Sequence, residues 1–508
     1  MDIQKISEGF LGRINPRMAT WLYNRIKHVP AVKRKVEKEF ETLINELEGV
    51  VKPYRGRFDA WAEIPDTGRD ESDILRDMQA LSDLEAAKWK EGYASGAVYH
   101  GDEAHIRFLN KIYALNSQSN PLHSDLWPSS AKYESEIVSM TAKMLGADTA
   151  AAESDADQKV CGVVSSGGTE SILLAMKTYR DWARDQKKIT RPEMIVPVTA
   201  HAAFDKAAEY FKIKIKRIPV DADYRADVAA ARKAVTRNSI VLVGSAPSFP
   251  HGMVDPVAEL SELAAEKKIG FHTDACLGGF VLPWAERLGY EVPGFDFRLP
   301  GVTSISADTH KYGYAAKGTS VILYRGPALR RYQYFTSTDW PGGLYFSPTF
   351  AGSRPGALSA ACWAAMVKTG KNGYLAASRK ILETASKIKK GIQEISDLYI
   401  LGDPLWVIAF GSKTLDIYRV MDYMTTRKWS LNGLHHPTCV HLCVTLRHTQ
   451  PGVAERFIND LKAGVEMVRD HPDASSRMAP IYGMAANLPV RSVVGNLLER
   501  YIDLLYKV

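Results

Sequence analysis

The sequence predicts an α/β protein, with a large domain on a mostly parallel sheet and a smaller C-terminal α/β domain. Three observations lead there. From residue 134 to about 325, short apolar strands alternate with helical patterns. After about residue 375 the pattern changes, and its strands suit a smaller, antiparallel sheet. The chain has 508 residues, too many for one small core, so two or three packed subdomains are expected. The expected division is an N-terminal, dimer-associated helical segment over 1–105, a large domain over 106–375 and a small domain over 376–508.

The elements follow in order. Residues 31–48 place Val32, Val36, Phe40, Leu43, Ile44 and Leu47 at helical spacing. That helix packs on a core more readily than on a partner helix. EIVSMTAKML (136–145) is helical. CGVVSSGG (161–168) is a short strand running into glycines, and TESILLAMKTYRDWARD (169–185) is the helix after it. MIVPV (194–198), IKRIPV (215–220), SIVLVGS (239–245), IGFHTDA (269–275) and SISADTH (304–310) are strands. A helix over 376–396 leads into the C-terminal domain. There LYILG, WVIAFGS and TCVHLCVTL read as strands, and DIYRVMDYMTTRKW and VAERFINDLKAGVEMVRD as helices.

Composition excludes several classes. A hydrophobic fraction of 45% with 24% charged residues is that of an ordered globular protein. The net charge of +7 is small for this length, and no basic run carries interleaved aromatics, so nucleic-acid binding is not expected. Residues 1–40 hold nine Lys/Arg against four Asp/Glu, a solvated face that allows at most peripheral membrane contact. No run approaches the roughly 20 apolar residues of a membrane span, and no secretory signal is visible. A soluble, cytoplasmic protein is expected, with its five dispersed cysteines reduced. Cys439, His441 and Cys443 share a face of one strand near His435 and His436. No second ligand pair has metal spacing, so a core strand and no metal is the reading.

Four signals point to one cofactor. SADTHKYG (306–313) ends a strand and sets His310 beside Lys311, an amine able to form a Schiff base. Asp274, at the end of the strand in FHTDACLGGF, is an anion suited to a protonated ring nitrogen. SSGGTES (165–171) follows a strand and opens a helix, so Gly167, Gly168 and Thr169 offer backbone N–H groups to a phosphate. His201 is placed to stack on a ring. Each alone has a plain alternative: a surface lysine, a helix N-cap, an ordinary glycine turn, a structural histidine. In this order, each beside a strand, they match what pyridoxal 5′-phosphate (PLP) needs.

On these residues the sequence resembles the group II PLP-dependent decarboxylases of fold type I, whose marks read here His201, His272-Thr273-Asp274-Ala275 and His310-Lys311. Within them it is most similar to the sphingosine-1-phosphate lyases, through SGAVY (95–99), NPLHSDLWP (120–128), GGTESI (167–172), HTDACLGGF (272–280), SADTHKYGYAAKGTS (306–320) and AGSRPG (351–356). Dense motifs cover roughly residues 90–360. The resemblance implies the PLP-dependent transferase fold of type I and a homodimer that shares its active site. It implies that Gly352 and Ser353 reach the cofactor phosphate from the neighbouring chain, and that Asn120 joins the cofactor site. Tyr99, His105 and Tyr482 become candidates for the substrate phosphate. Eukaryotic members carry a membrane span, and that anchor is not carried over.

The implied reaction is retro-aldol cleavage of a phosphorylated long-chain base to a long-chain aldehyde and phosphoethanolamine. Lys317, on the same glycine-flanked loop as Lys311, is a candidate for the substrate phosphate. Lys311, a water and the substrate phosphate are all candidates for taking the C3 hydroxyl proton. Two rivals share the cofactor residues: a glutamate- or aromatic-type amino-acid decarboxylase, which releases carbon dioxide instead, and a non-catalytic PLP-binding regulator or scaffold.

Overall fold

A computed structural model of the chain describes residues 30–150, 158–471 and 491–508. Its central sheet has seven strands: β1 (Val160–Ser165), β2 (Glu193–Pro197), β3 (Lys214–Ile218), β4 (Ser239–Ser245), β5 (Gly270–Asp274), β6 (Ser304–Ala307) and β7 (Ser320–Arg325). Their order is β1-β7-β6-β5-β4-β2-β3. The β6–β5, β5–β4, β4–β2 and β2–β3 pairs are parallel, and β7 is antiparallel to both its neighbours. The mostly parallel sheet expected from the alternating pattern is therefore present. β2, β4, β5 and β6 are buried along their whole length. Helices covering both faces of a parallel sheet leave strands this apolar.

Strand β7 is not among those the alternation picks out, because no helix separates it from β6. The chain instead doubles back through residues 308–319, a helix-free connection that suits antiparallel neighbours. Both ends of that loop, which carries Lys311, are thereby held at one edge of the sheet.

Helix Gly168–Lys187 buries Ile172, Leu174, Met176 and Tyr179 against Met194, Val196, Ile240 and Val243 of the sheet. The Tyr179 hydroxyl lies 3.1 Å from the Phe271 carbonyl, to which it donates, and 2.7 Å from the hydroxyls of both Thr303 and Ser304. Its ring is so close to Gly270 that a Cβ there would lie 2.2 Å from it. Residue size at one strand position thus sets the seat of the helix.

The helix expected over 376–396 begins earlier, at Gly356, and runs to Gln393 with a break at Gly370 (φ 58°). Its first part, GALSAACWAAM, is mostly small residues, and Ala357, Ala360, Ala361, Ala364 and Ala365 are all buried. Small side chains on most faces give no apolar stripe to read. Before it, Phe335–Ser337 and Tyr345–Ser347 pair as an antiparallel hairpin. A small antiparallel sheet in the C-terminal part includes Leu398–Ile400, Val407–Ser412 and Cys439–Cys443.

The chain forms two compact units, neither continuous in sequence. One is drawn from the described parts of residues 1–93, 412–440 and 460–508, the other from residues 94–411 and 441–459. In the first, helix Pro30–Val51 packs on helix Arg491–Tyr506: Phe40 is buried and the Arg500 guanidinium sits 5.3 Å from its ring centre. The seven-stranded sheet lies wholly in the second. No helix of the described residues is long and apolar enough to cross a membrane.

Gly270→Ala is expected to destabilise the protein by about 1–3 kcal/mol, the usual cost of overpacking a filled core. A lower denaturation midpoint with an unchanged denaturant slope would show it; an unchanged midpoint would refute the packing described.

Candidate active site

The C-terminal ends of β1, β5 and β6 and the start of β7 share one sheet edge, where Ser165 pairs with Ser320, Asp274 with Ser306 and Ala307 with Val321. Hydroxyls bind this edge together. Ser171 lies 2.7 Å from Ser165 and 2.9 Å from Ser320, which donates to the Ala307 carbonyl at 3.2 Å. A cavity of about 440 Å³ opens above it, lined by Gly167, Gly168, Thr169, His201, Asp274, Cys276, Asp308, His310, Lys311 and Lys317 among others. The expected glycine turn, stacking histidine, ring-nitrogen carboxylate, His-Lys pair and second lysine meet in one place.

The glycine turn opens helix Gly168–Lys187 with no side-chain cap. The first N–H groups of a helix have no partner within it, and the helix dipole adds positive potential. Such an end suits a phosphate. Gly168 admits no side chain: a Cβ would stand 2.7 Å from both Asp308 carboxylate oxygens and 2.8 Å from Cys276 Sγ. The turn is pressed directly against the lysine loop.

Asp308 is the residue that sequence reasoning did not single out. Its Oδ2 lies 2.8 Å from Lys311 Nζ, three positions on, and 3.9 Å from His310 Nε2. Its carboxylate is buried. Burial works against the charged form of both partners, yet the pair prevails. Asp308 is held below the usual carboxylate range by Lys311 and His310, and Lys311 is held above the usual ammonium range chiefly by Asp308. The three-residue spacing in DTHK was the available signal.

Asp274 is buried, and its Oδ1 accepts from the Cys276 N–H at 3.1 Å and the Ser306 hydroxyl at 3.4 Å. His272 precedes it by two residues and so lies on the same face of β5, one pleat further from the strand's end. It is fully buried between Ser304 and Ser306, at 2.7 and 3.2 Å, and burial pushes its pKa down to about 4. It is a neutral core histidine. His201 is exposed at the cavity rim, and its Nδ1 accepts from the Ala203 N–H at 3.1 Å, which orients the ring. His310 Nδ1 donates to the Thr319 carbonyl at 2.6 Å, tying the two ends of the lysine loop.

The candidates for the substrate phosphate divide. Lys317 Nζ lies 4.7 Å from the centre of the Tyr99 ring. Lys317 is exposed by area, but its ammonium is drawn inward; desolvation, then repulsion from Lys311, lower its pKa to about 8. Tyr99 is buried, edge-on to Tyr312 at 4.8 Å. His105 is also buried, stacked on His100 at 4.0 Å, and its Nε2 donates to the Tyr314 carbonyl at 2.8 Å. Its ring is engaged with the lysine loop and does not line the cavity. Tyr482 lies outside the described residues.

Asn120 Nδ2 donates to the Ser353 hydroxyl at 3.1 Å, and Asn120 Oδ1 accepts from the Arg354 N–H at 3.3 Å. Asn120, Gly352 and Ser353 do not line the Lys311 cavity of their own chain. Cys439, His441 and Cys443 lie on a buried strand, where Cys443 Sγ is 3.2 Å from the Tyr312 hydroxyl.

The family described as the pyridoxal-dependent decarboxylase conserved domain matches residues 59–410. A sphingosine-1-phosphate lyase of Arabidopsis thaliana is 44% identical over 95% of this chain and 87% of its own length. The solved structure of a Burkholderia pseudomallei sphingosine-1-phosphate lyase matches with a TM-score of 0.81 at 47% identity, covering 83% of this chain and 96% of that one. The chain belongs to the sphingosine-1-phosphate lyase family. A glutamate decarboxylase of Lactobacillus brevis, at TM-score 0.69 and 18% identity, shares the fold. That fold is the PLP-dependent type I fold expected from the motifs.

The residues present fit the family's cofactor. An uncapped helix start faces the cavity for a phosphate, a carboxylate stands at the end of β5 for a ring nitrogen, and an amine stands beside both. Gly168→Ala is expected to weaken PLP binding at least ~10-fold, since the added methyl must displace Asp308 or the turn itself. Titration of the cofactor-free chain with PLP, followed by absorbance, measures this; unchanged affinity would mean that the turn is not the phosphate cradle.

Proposed function

We propose that this chain is a PLP-dependent aldehyde-lyase that cleaves phosphorylated long-chain bases, sphingosine 1-phosphate among them. The C2–C3 bond breaks, the C3 hydroxyl loses its proton and becomes the aldehyde, and C2 gains a proton to leave phosphoethanolamine. The bound cofactor supplies an electron sink for the pair left on C2. Asp274 provides the anion that keeps such a sink protonated. His201 covers the rim and Lys311 supplies the amine.

One observation carries the substrate class. A second ammonium, Lys317, stands over the Tyr99 ring beside the Lys311 cavity. It offers a site for a substrate phosphate in addition to the helix start that suits the cofactor phosphate. An amino-acid decarboxylase has no such need. Tyr99 and Tyr482 are the proposed further contacts to that phosphate.

A homodimer belongs to the same reading. Phe335, Trp340, Leu344, Phe346 and Phe350 are exposed on and beside the hairpin that precedes AGSRPG. Apolar surface of that kind suits a second copy of the chain. Gly352, Ser353 and Asn120, which do not line their own cavity, are then offered to the neighbour's, and residues 1–105 add to the contact.

Aldehyde release from sphingosine 1-phosphate is the test. Wild type is expected to release aldehyde and no carbon dioxide, and Lys311→Ala neither. Lys317→Ala is expected to raise KM roughly 10- to 100-fold, the worth of a charge-assisted hydrogen bond. Because the lowered Lys317 pKa leaves the ammonium intact below about pH 8 and removes it above, kcat/KM should fall as pH rises through that value. The Ala variant should lose that limb. Carbon dioxide release without aldehyde would overturn the reading.

A further inference from the structure

The mechanism leaves open where Lys311 stands once the substrate amine has displaced it. The buried Asp308 carboxylate, 2.8 Å from Lys311 Nζ, answers this. We propose that Asp308 is a positioning residue that receives Lys311 as an ammonium each time the lysine is displaced, so that Lys311 is the proton donor to C2 and not the base at the C3 hydroxyl. This rests on the lyase reading above and deepens it.

The geometry favours this state. Asp308 is buried, and a buried carboxylate without a counter-charge is costly. Lys311 Nζ is the one cation among the described residues within salt-bridge contact closer than 3 Å of Asp308, since His310 Nε2 is at 3.9 Å. The groups facing Lys311 are Asp308, Cys276, Tyr99, Lys317, His310, Asp274 and Cys443. Of these only Asp308 joins a negative charge to a hydrogen bond with the amine. The Gly168 backbone lies against Asp308 on one side, so close that a Cβ there would stand 2.7 Å from both carboxylate oxygens.

The protons balance. A substrate amine arrives as an ammonium and sheds one proton to become a nucleophile. The displaced Lys311 takes up that proton on Asp308. An ammonium cannot abstract the C3 hydroxyl proton, which therefore goes to another base. After the C2–C3 bond breaks, the ammonium gives its proton to C2 and becomes a neutral amine, the form needed to recover the cofactor. The C3 proton returns to the product amine on release.

Two measurements test this on the full chain. In the first, the cofactor-free protein is treated with acetic anhydride from pH 6 to 10, and acetyl groups on Lys311 and Lys317 are counted by peptide mass spectrometry. In wild type, Lys317 should react at lower pH than Lys311. Asp308→Asn should move the Lys311 profile down by at least one pH unit, about tenfold faster labelling at fixed pH, and Asp308→Glu should restore it. In the second, the holoenzyme is given phosphoethanolamine in D₂O, and exchange of its C2 proton is followed by NMR. Asp308→Asn should slow that exchange at least ~10-fold, the lower range for loss of a placed proton donor. A folded Asn variant with an unchanged labelling profile, or unchanged exchange, overturns the proposal. Should that variant not fold, equal labelling of Lys311 and Lys317 at pH 8 in wild type overturns it. A wild-type protein that shows the labelling order but releases no aldehyde from sphingosine 1-phosphate would sink the lyase reading and not the ion pair.

Discussion

Everything at this site depends on how closely the glycine turn before helix Gly168–Lys187 approaches the Asp308 carboxylate. No side chain fits between them. The approach is set by the sheet, since β7 lies between β1 and β6 and joins the strand that ends in the turn to the strand that ends in the lysine loop. The Ser165–Ser171–Ser320 hydroxyls then fix the register at the edge where the cavity opens. A helix start suited to a phosphate and a lysine amine thus come together through backbone topology, and side chains only refine their spacing.

Charge inside the cavity is arranged in the same economical way. Burial, and then repulsion between two lysines that share one small space, lower the ammonium of Lys317 to about 8. Lys311 escapes that fate because Asp308 lies against it. The two amines are thus shifted in opposite directions although Asp308 favours the charged form of both, because only for Lys311 does it add a hydrogen bond to its charge. His310 and His105 contribute as ties: one closes the lysine loop on Thr319, the other holds the Tyr314 carbonyl within it.

Much of this was legible in the sequence, for physical reasons. Fully buried strands such as SIVLVGS announce themselves as unbroken apolar runs, and the glycine turn, His201, Asp274 and Lys311 stand at the ends of such runs. What escaped had no such mark. β7 follows a loop with no helix, so alternation misses it. Helix Gly356–Gln393 opens on small residues that give no stripe. Asp308 sits inside a recognised motif, where its neighbours drew the attention, and only burial shows that its carboxylate depends on Lys311. His105 reads in sequence as a polar residue near a substrate site, while the fold uses it to brace a loop from below. Burial and contact, unlike spacing, are not written in order along the chain.

The most direct measurement is the identity of the lysine that joins the cofactor. Protein loaded with PLP would be reduced with borohydride, digested, and the pyridoxyl group located by mass spectrometry. A single adduct on Lys311, in the peptide that also carries Asp308, is expected when digestion spares that lysine. An adduct on Lys317 or elsewhere, or none at all in protein shown to bind PLP, would contradict the site described.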